Sequence, residues 1–330
     1  MSIKYNGGYI PAVGADGTTL VANSASATGV AWAGPSVAAG KNVIINGGFD
    51  IWQRGTTSTA NATYTTADRW WCYSSATTFT WSQNSTAPTG LRYSFSGTIN
   101  SGSGTCQFQH AVETANTIPL AGQTATLSFY LATTGPTGQV PSLQFSYSTA
   151  VDAGLGGSYT TISGTTNYSP VISGSFQRYS ITYTIPSTAK SLMFVVNSNS
   201  TMTTGQSFSL AGVQLELGST ATTFSRAGGT IGGELALCQR YYNTNTLAFR
   251  STPATASSNI AFTTYVPQMR TSPTFAYTSA ASASANISGT PALDLLTSDG
   301  GTYIVRLTVI TTTALIDSYY VRSFSASAEL

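Results

Sequence analysis

The run Tyr179-Ser180-Ile181-Thr182-Tyr183-Thr184-Ile185 puts an apolar side chain at every odd position and a hydroxyl at every even one. Successive side chains of an extended chain point to opposite faces, so this period of two is the mark of a half-buried β-strand. Leu127, Phe129 and Leu131 repeat the pattern, as do Leu91, Tyr93 and Phe95, then Leu143, Phe145 and Tyr147, then Val213, Leu215 and Leu217. Clusters of Gly, Pro, Asn and Ser separate these runs and supply the turns. Strands apolar on one face must close a core against a second sheet. Residues 41–226 are therefore predicted to form a jelly-roll β-sandwich, and the fold class is all-β.

The flanks read differently. Residues 1–40 hold only two small apolar pieces, Thr19-Leu20-Val21-Ala22 and Gly29-Val30-Ala31-Trp32, too little to close a core. That segment is expected to be extended and to fold against a partner or a sister chain. Residues 227–330 are predicted to form a C-terminal β domain with one short helix. The helix is placed at Glu234–Tyr242, with an acid in its first turn and Leu235, Cys238 and Tyr242 at helical spacing. Strands follow at 259–267, 274–278, 302–310 and 318–324. The run Tyr303–Ile310 is apolar on both faces, which points to burial against another chain.

Only 7% of the 330 residues are charged, against about 25% in an ordinary soluble protein. Solubility then rests on Ser, Thr, Asn, Gln and Gly, as on a surface that works outside cells or packs against copies of itself. The 13 basic residues are scattered and the net charge is +2, so no nucleic-acid partner is expected. No run of about 18 apolar residues predicts membrane insertion, and the first residues lack the layout of a signal peptide. Cys72, Cys106 and Cys238 match no metal spacing and read as buried thiols.

Catalytic chemistry finds little purchase. Asp50 and Asp68 are the acids of the aromatic-rich stretch 42–71, and a glycosidase would need two carboxylates across one cleft. Asp68 can equally cap a turn or pair with Arg54 or Arg69. His110 is the sole histidine, which rules out a multi-histidine metal site, and its neighbours place it on a strand face with Phe108. Phosphate-binding loops are missing. The chain is expected not to be an enzyme and to need no cofactor, with Asn46, Asp50 and Glu216 as weak calcium candidates.

Aromatic residues are the remaining functional material. On a strand from Arg69 to Tyr73, Trp70 and Cys72 share one face and Trp71 and Tyr73 the other. If exposed, Trp71, Tyr73 and Trp81 would make a stacking platform for sugar rings, with nearby amides and hydroxyls reading the sugar hydroxyls. The same rings would also suit a subunit interface, or the core.

Four pieces carry a resemblance: Asn42-Val43-Ile44-Ile45-Asn46-Gly47-Gly48-Phe49-Asp50-Ile51-Trp52-Gln53-Arg54-Gly55, Tyr64-Thr65-Thr66-Ala67-Asp68-Arg69-Trp70, Ala211 to Ser219 (AGVQLELGS) with Ala221 to Phe224, and Leu235 to Tyr242 (LALCQRYY). Together they resemble bacteriophage fibre and other virion appendage proteins, and the second and third also look like jelly-roll carbohydrate-binding modules. Leu20 to Trp32 is similar to attachment segments of phage tail proteins. The resemblance implies a homotrimeric virion-surface protein of tail-fibre type, extracellular after release. It would dock to tail or capsid proteins through residues 1–40 and bind a host surface glycan. A head fibre or capsid decoration protein and a glycan-degrading tailspike are the alternatives it leaves open.

Overall fold

The computed structural model describes residues 41–135, 141–162, 174–199, 201–251, 259–278 and 318–330, together with strands at 4–5, 8–9, 19–22, 30–33, 282–283, 287–297 and 303–311. The two apolar pieces of the N-terminal segment pair with each other: Thr19–Ala22 lies antiparallel to Val30–Ala33, with Leu20 opposite Trp32. The rest of residues 1–40 falls outside the described residues, apart from a two-residue pairing at Lys4–Tyr5 and Gly8–Tyr9.

Nine principal strands build the sandwich: β1 (Trp71–Ser74), β2 (Thr78–Asn84), β3 (Ser94–Ser101), β4 (Cys106–Val112), β5 (Thr124–Thr133), β6 (Ser142–Ser148), β7 (Gln177–Thr184), β8 (Ser191–Asn197) and β9 (Ser207–Leu217). A front sheet runs β6-β8-β4-β1, extended by the short strands Thr160–Thr161 at one edge and Thr63–Tyr64 at the other; a back sheet runs β7-β5-β9-β3-β2, extended by Thr57–Ser58. All pairings are antiparallel, as expected for one-sided strands, and the expected all-β jelly roll is what forms. Phe108, Phe145 and Phe194 from the front meet Phe95, Phe129 and Phe208 from the back, all almost wholly buried. Trp70 is buried with them and Trp52 packs at the margin, both as framing residues of the core.

The alternation misleads at two places. β3 begins only at Ser94, so Leu91 and Tyr93 precede it; Phe95 is buried in the core and Tyr93 packs against its margin. Trp81, expected as part of an exposed platform, is fully buried. It sits opposite Gly97, where an added Cβ would come 2.4 Å from its ring, so the missing side chain makes room for the indole. Its Nε1 donates to the Ala60 carbonyl at 3.0 Å, which satisfies the one polar atom it brings inside.

Beyond the sandwich, helix α1 spans Ile231–Gln239, not the expected 234–242. Thr230 caps it by accepting from the Gly233 N–H at 3.0 Å, and Glu234 is the acid of the first turn. The helix stops early because Tyr241 turns into the core and Tyr242 opens a strand, β10 (Tyr242–Ser251). The remaining strands are β11 (Asn259–Val266), β12 (Thr274–Tyr277), β13 (Ile287–Thr297), β14 (Tyr303–Thr311) and β15 (Ser318–Ser327). They form sheets β10-β15-β12 and β11-β14-β13. β10 and β13 were not expected: β10 hides behind a helical pattern, and β13 carries Pro291, which falls in the register break between Ser288 and Ala292 where a ladder N–H is not required. The helix seats on the sandwich through Ile45, Ile51, Cys238 and Tyr241, with Leu235, Leu237 and Leu330 around them.

Candidate functional site

Strand register assembles one face from scattered residues. In antiparallel pairs, residues directly opposite share a face. Tyr64 lies opposite Trp71, Trp71 opposite Gln109, Gln109 opposite Val195, and Val195 opposite Gln144. A second row, two residues along, runs Tyr73, Gln107, Asn197 and Ser142. All nine residues are half-buried on the outer face of the front sheet, and none is charged. Trp71 and Tyr73 are stacked nearly parallel, 13° apart in plane with ring centres 6.4 Å apart. Gln109 Nε2 donates to Gln107 Oε1 at 3.2 Å, and Gln144 Nε2 to Ser146 Oγ at 3.3 Å, so the amides are held in place while keeping further donors and acceptors. Five strands at about 4.8 Å make the first row roughly 19 Å long.

Trp71 and Tyr73 thus stand on a common face as expected, whereas Trp81 does not join them. The sequence pattern Cys106-Gln107-Phe108-Gln109-His110 already shows two amides at the parity opposite the core. What it lacks is the register that brings them beside Trp71.

Against the Tyr64 end of this face lies a charged cluster. Asp68 is paired with Arg54 (3.3 Å), not with Arg69, and also accepts from Gln53 Nε2 at 2.6 Å. Arg69 pairs instead with Glu329, and Arg54 reaches the same carboxylate at 2.7 Å. Each guanidinium lies 3.6 Å from a tyrosine ring centre, Arg54 over Tyr242 and Arg69 over Tyr241. Burial pushes the Asp68 carboxyl up to about 6 despite Arg54 and Gln53. The network fastens residues 54–69 of the sandwich to Glu329. An open groove of about 590 Å³ runs past it, lined by Gln53, Arg54, Tyr242, Thr244, Asn245, Thr246, Thr278 and Ser323.

Among the described residues, the other acids and the histidine singled out above are similarly occupied. Asp50 takes Arg226 at 2.7 and 3.2 Å. As calcium ligands the three candidates fail: Asn46 Oδ1 accepts the Ile51 N–H and its amide donates to Ile51 and Asp68 carbonyls, Asp50 is held by Arg226, and Glu216 is held by Lys41, Gln214 and Thr222. Protein donors consume the oxygens a cation would need. Among the described residues no three His, Cys, Asp or Glu side chains gather as a ligand set. His110 is wholly buried, stacked on Phe194 at 5.6 Å, with Nε2 against the Ile45 carbonyl at 3.1 Å. Desolvation and nearby Arg69 hold its pKa well below the usual range, so it stays neutral. The cysteines are buried and free, and burial pushes Cys106 up to about 12.

No family model and no curated protein matches the chain. Among solved structures, it is similar to the enzymatically active domain of tailspike protein 4 from bacteriophage CBA120, at 13% identity over 54% of this chain and 21% of that one, TM-score 0.36. The match therefore spans about a fifth of the tailspike chain. A CBM4 carbohydrate-binding module is 16% identical over 53% of this chain and 99% of its own, TM-score 0.34. The CBM22-1 xylan-binding domain from Paenibacillus barcinonensis is 10% identical over 50% and 94%, TM-score 0.29.

Proposed function

We propose that the chain is a bacteriophage virion appendage protein of tail-fibre type whose front sheet binds a host surface glycan. The observation that carries the binding half is the pair of parallel rings, Trp71 and Tyr73, continued across neighbouring strands by Gln107, Gln109, Asn197 and Gln144. Sugar rings offer apolar C–H faces that lie on aromatic faces, and equatorial hydroxyls that amides read. With no charged side chain in the two rows, the ligand is a neutral glycan. The virion half rests on the four motifs quoted above. On this reading the protein is a homotrimer on the virion surface and docks through residues 1–40.

Binding without cleavage is the reading that the acids favour. Asp50 and Asp68, which a glycosidase would use, are spent on Arg226 and on Arg54 and Gln53.

Affinity electrophoresis in gels containing xylan, mannan or hydroxyethylcellulose tests the proposal. The native chain should be retarded by at least one polymer, and Trp71→Ala should lose roughly tenfold or more in affinity while keeping its unfolding midpoint. Equal retardation of native protein and Trp71→Ala would remove the front sheet from consideration.

A further inference from the structure

Tyr64 belongs to two structures at once. It is the edge residue of the first row, directly opposite Trp71, so its side chain is on the Trp71 side of the front sheet. Its hydroxyl donates to the Leu330 carbonyl at 3.2 Å, and its ring lies 5.9 Å from the Arg54 guanidinium. Leu330 is itself held down. Arg270 donates to the carbonyls of Ala328 and Glu329 at 3.2 and 3.1 Å, and the Glu329 carboxylate is gripped by Arg54 and Arg69.

From this geometry we infer that Tyr64 is a third ring of the binding face, and that the chain end at 328–330 positions it. The inference rests on the glycan-binding reading of the same face. Thr63–Tyr64 is a two-residue edge strand with only β1 beside it, too short to fix a large side chain through backbone pairing. The Tyr64 hydroxyl supplies the missing constraint from the other side. The C-terminal segment thereby completes a face whose remaining residues all come from the sandwich.

The sequence holds no hint of this role, because 266 residues separate Tyr64 from Leu330. It follows that a ligand on Trp71 and Tyr64 should tighten the docking of residues 318–330, and that loosening those residues should weaken the ligand. The two effects are one coupling seen from either end.

The test uses the full chain and whichever of xylan, mannan or hydroxyethylcellulose retards it. Tyr64→Ala should weaken binding about tenfold, Tyr64→Phe, which keeps the ring and removes its anchor, about threefold, and Glu329→Gln by a similar factor. Amide exchange at 318–330 should slow when oligosaccharide fragments of that polymer are added to native protein, and should not respond in Tyr64→Phe. A purely structural tyrosine would not give that ligand-dependent difference. If Trp71→Ala abolishes retardation while all three of these variants bind as native, the inference fails and the glycan reading stands. If no polymer retards the native chain, both fall. Should Glu329→Gln misfold, Tyr64→Phe alone decides, since it removes a single part-buried hydroxyl and keeps the ring.

Discussion

Trp71 and Trp81 stand ten residues apart and were alike as sequence, yet one faces outward and the other fills the core. The difference lies in Gly97, a residue of another strand whose missing side chain admits the Trp81 ring. Pairwise accommodation of this kind is invisible along the chain, whereas strand parity, which assigned Trp70, Trp71, Cys72 and Tyr73, is local and legible. Trp81→Ala should cost about 3–5 kcal/mol in a urea melt, the range for emptying a large aromatic site. At Asp68 the sign of the pH effect is unusual for a carboxylate. Its folded pKa of about 6 lies above an unfolded value near 3.9, so the folded state binds more protons between those limits. This group's contribution to stability is therefore fully present below about pH 4 and is lost as pH rises through 6. Comparing native protein with Asp68→Asn at pH 4.5 and 7.5, the asparagine variant should gain on the native chain at the higher pH, by on the order of 2 kcal/mol.

Elements were easier to see than their ends. The helix was visible in its composition, but its start was set three residues late, since Ile231-Gly232-Gly233 is a poor helix former. The signal that could have found it is Thr230, whose side chain takes the Gly233 N–H. Thr230→Ala should lower stability by about 1 kcal/mol, measured by chemical denaturation, with no change in glycan retardation. The helix's far end was overrun because Tyr242 continues the spacing of Leu235 and Cys238. Its stop comes from Arg69 and Arg54, which draw Tyr241 and Tyr242 under their guanidinium groups from distant parts of the chain. β13 was missed for the opposite reason: Pro291 argues against a strand unless a register break receives it.

For the molecule as a whole, one-sided alternation was enough to reach the sandwich, and the parity of β1 was enough to nominate Trp71 and Tyr73 on its outer face. Register, which no local pattern shows, brings the amides of β4, β6 and β8 beside them. The proposed trimer belongs to this scale. Light scattering at micromolar concentration should give about three times the 34.3 kDa chain mass, and a monomer mass would count against the fibre reading.

Glu329 meets Arg69 across 260 residues of sequence and Arg54 across 275. During synthesis at roughly 5–20 residues per second, Arg69 leaves the ribosome about 13–52 s before its carboxylate exists. Until then a nascent sandwich carries a cation at a site made for a pair, with Tyr241 also still to come. Nascent chains should thus be open to proteases around residues 54–69 until residues 241–329 have emerged, so that the order of synthesis sets when this site closes.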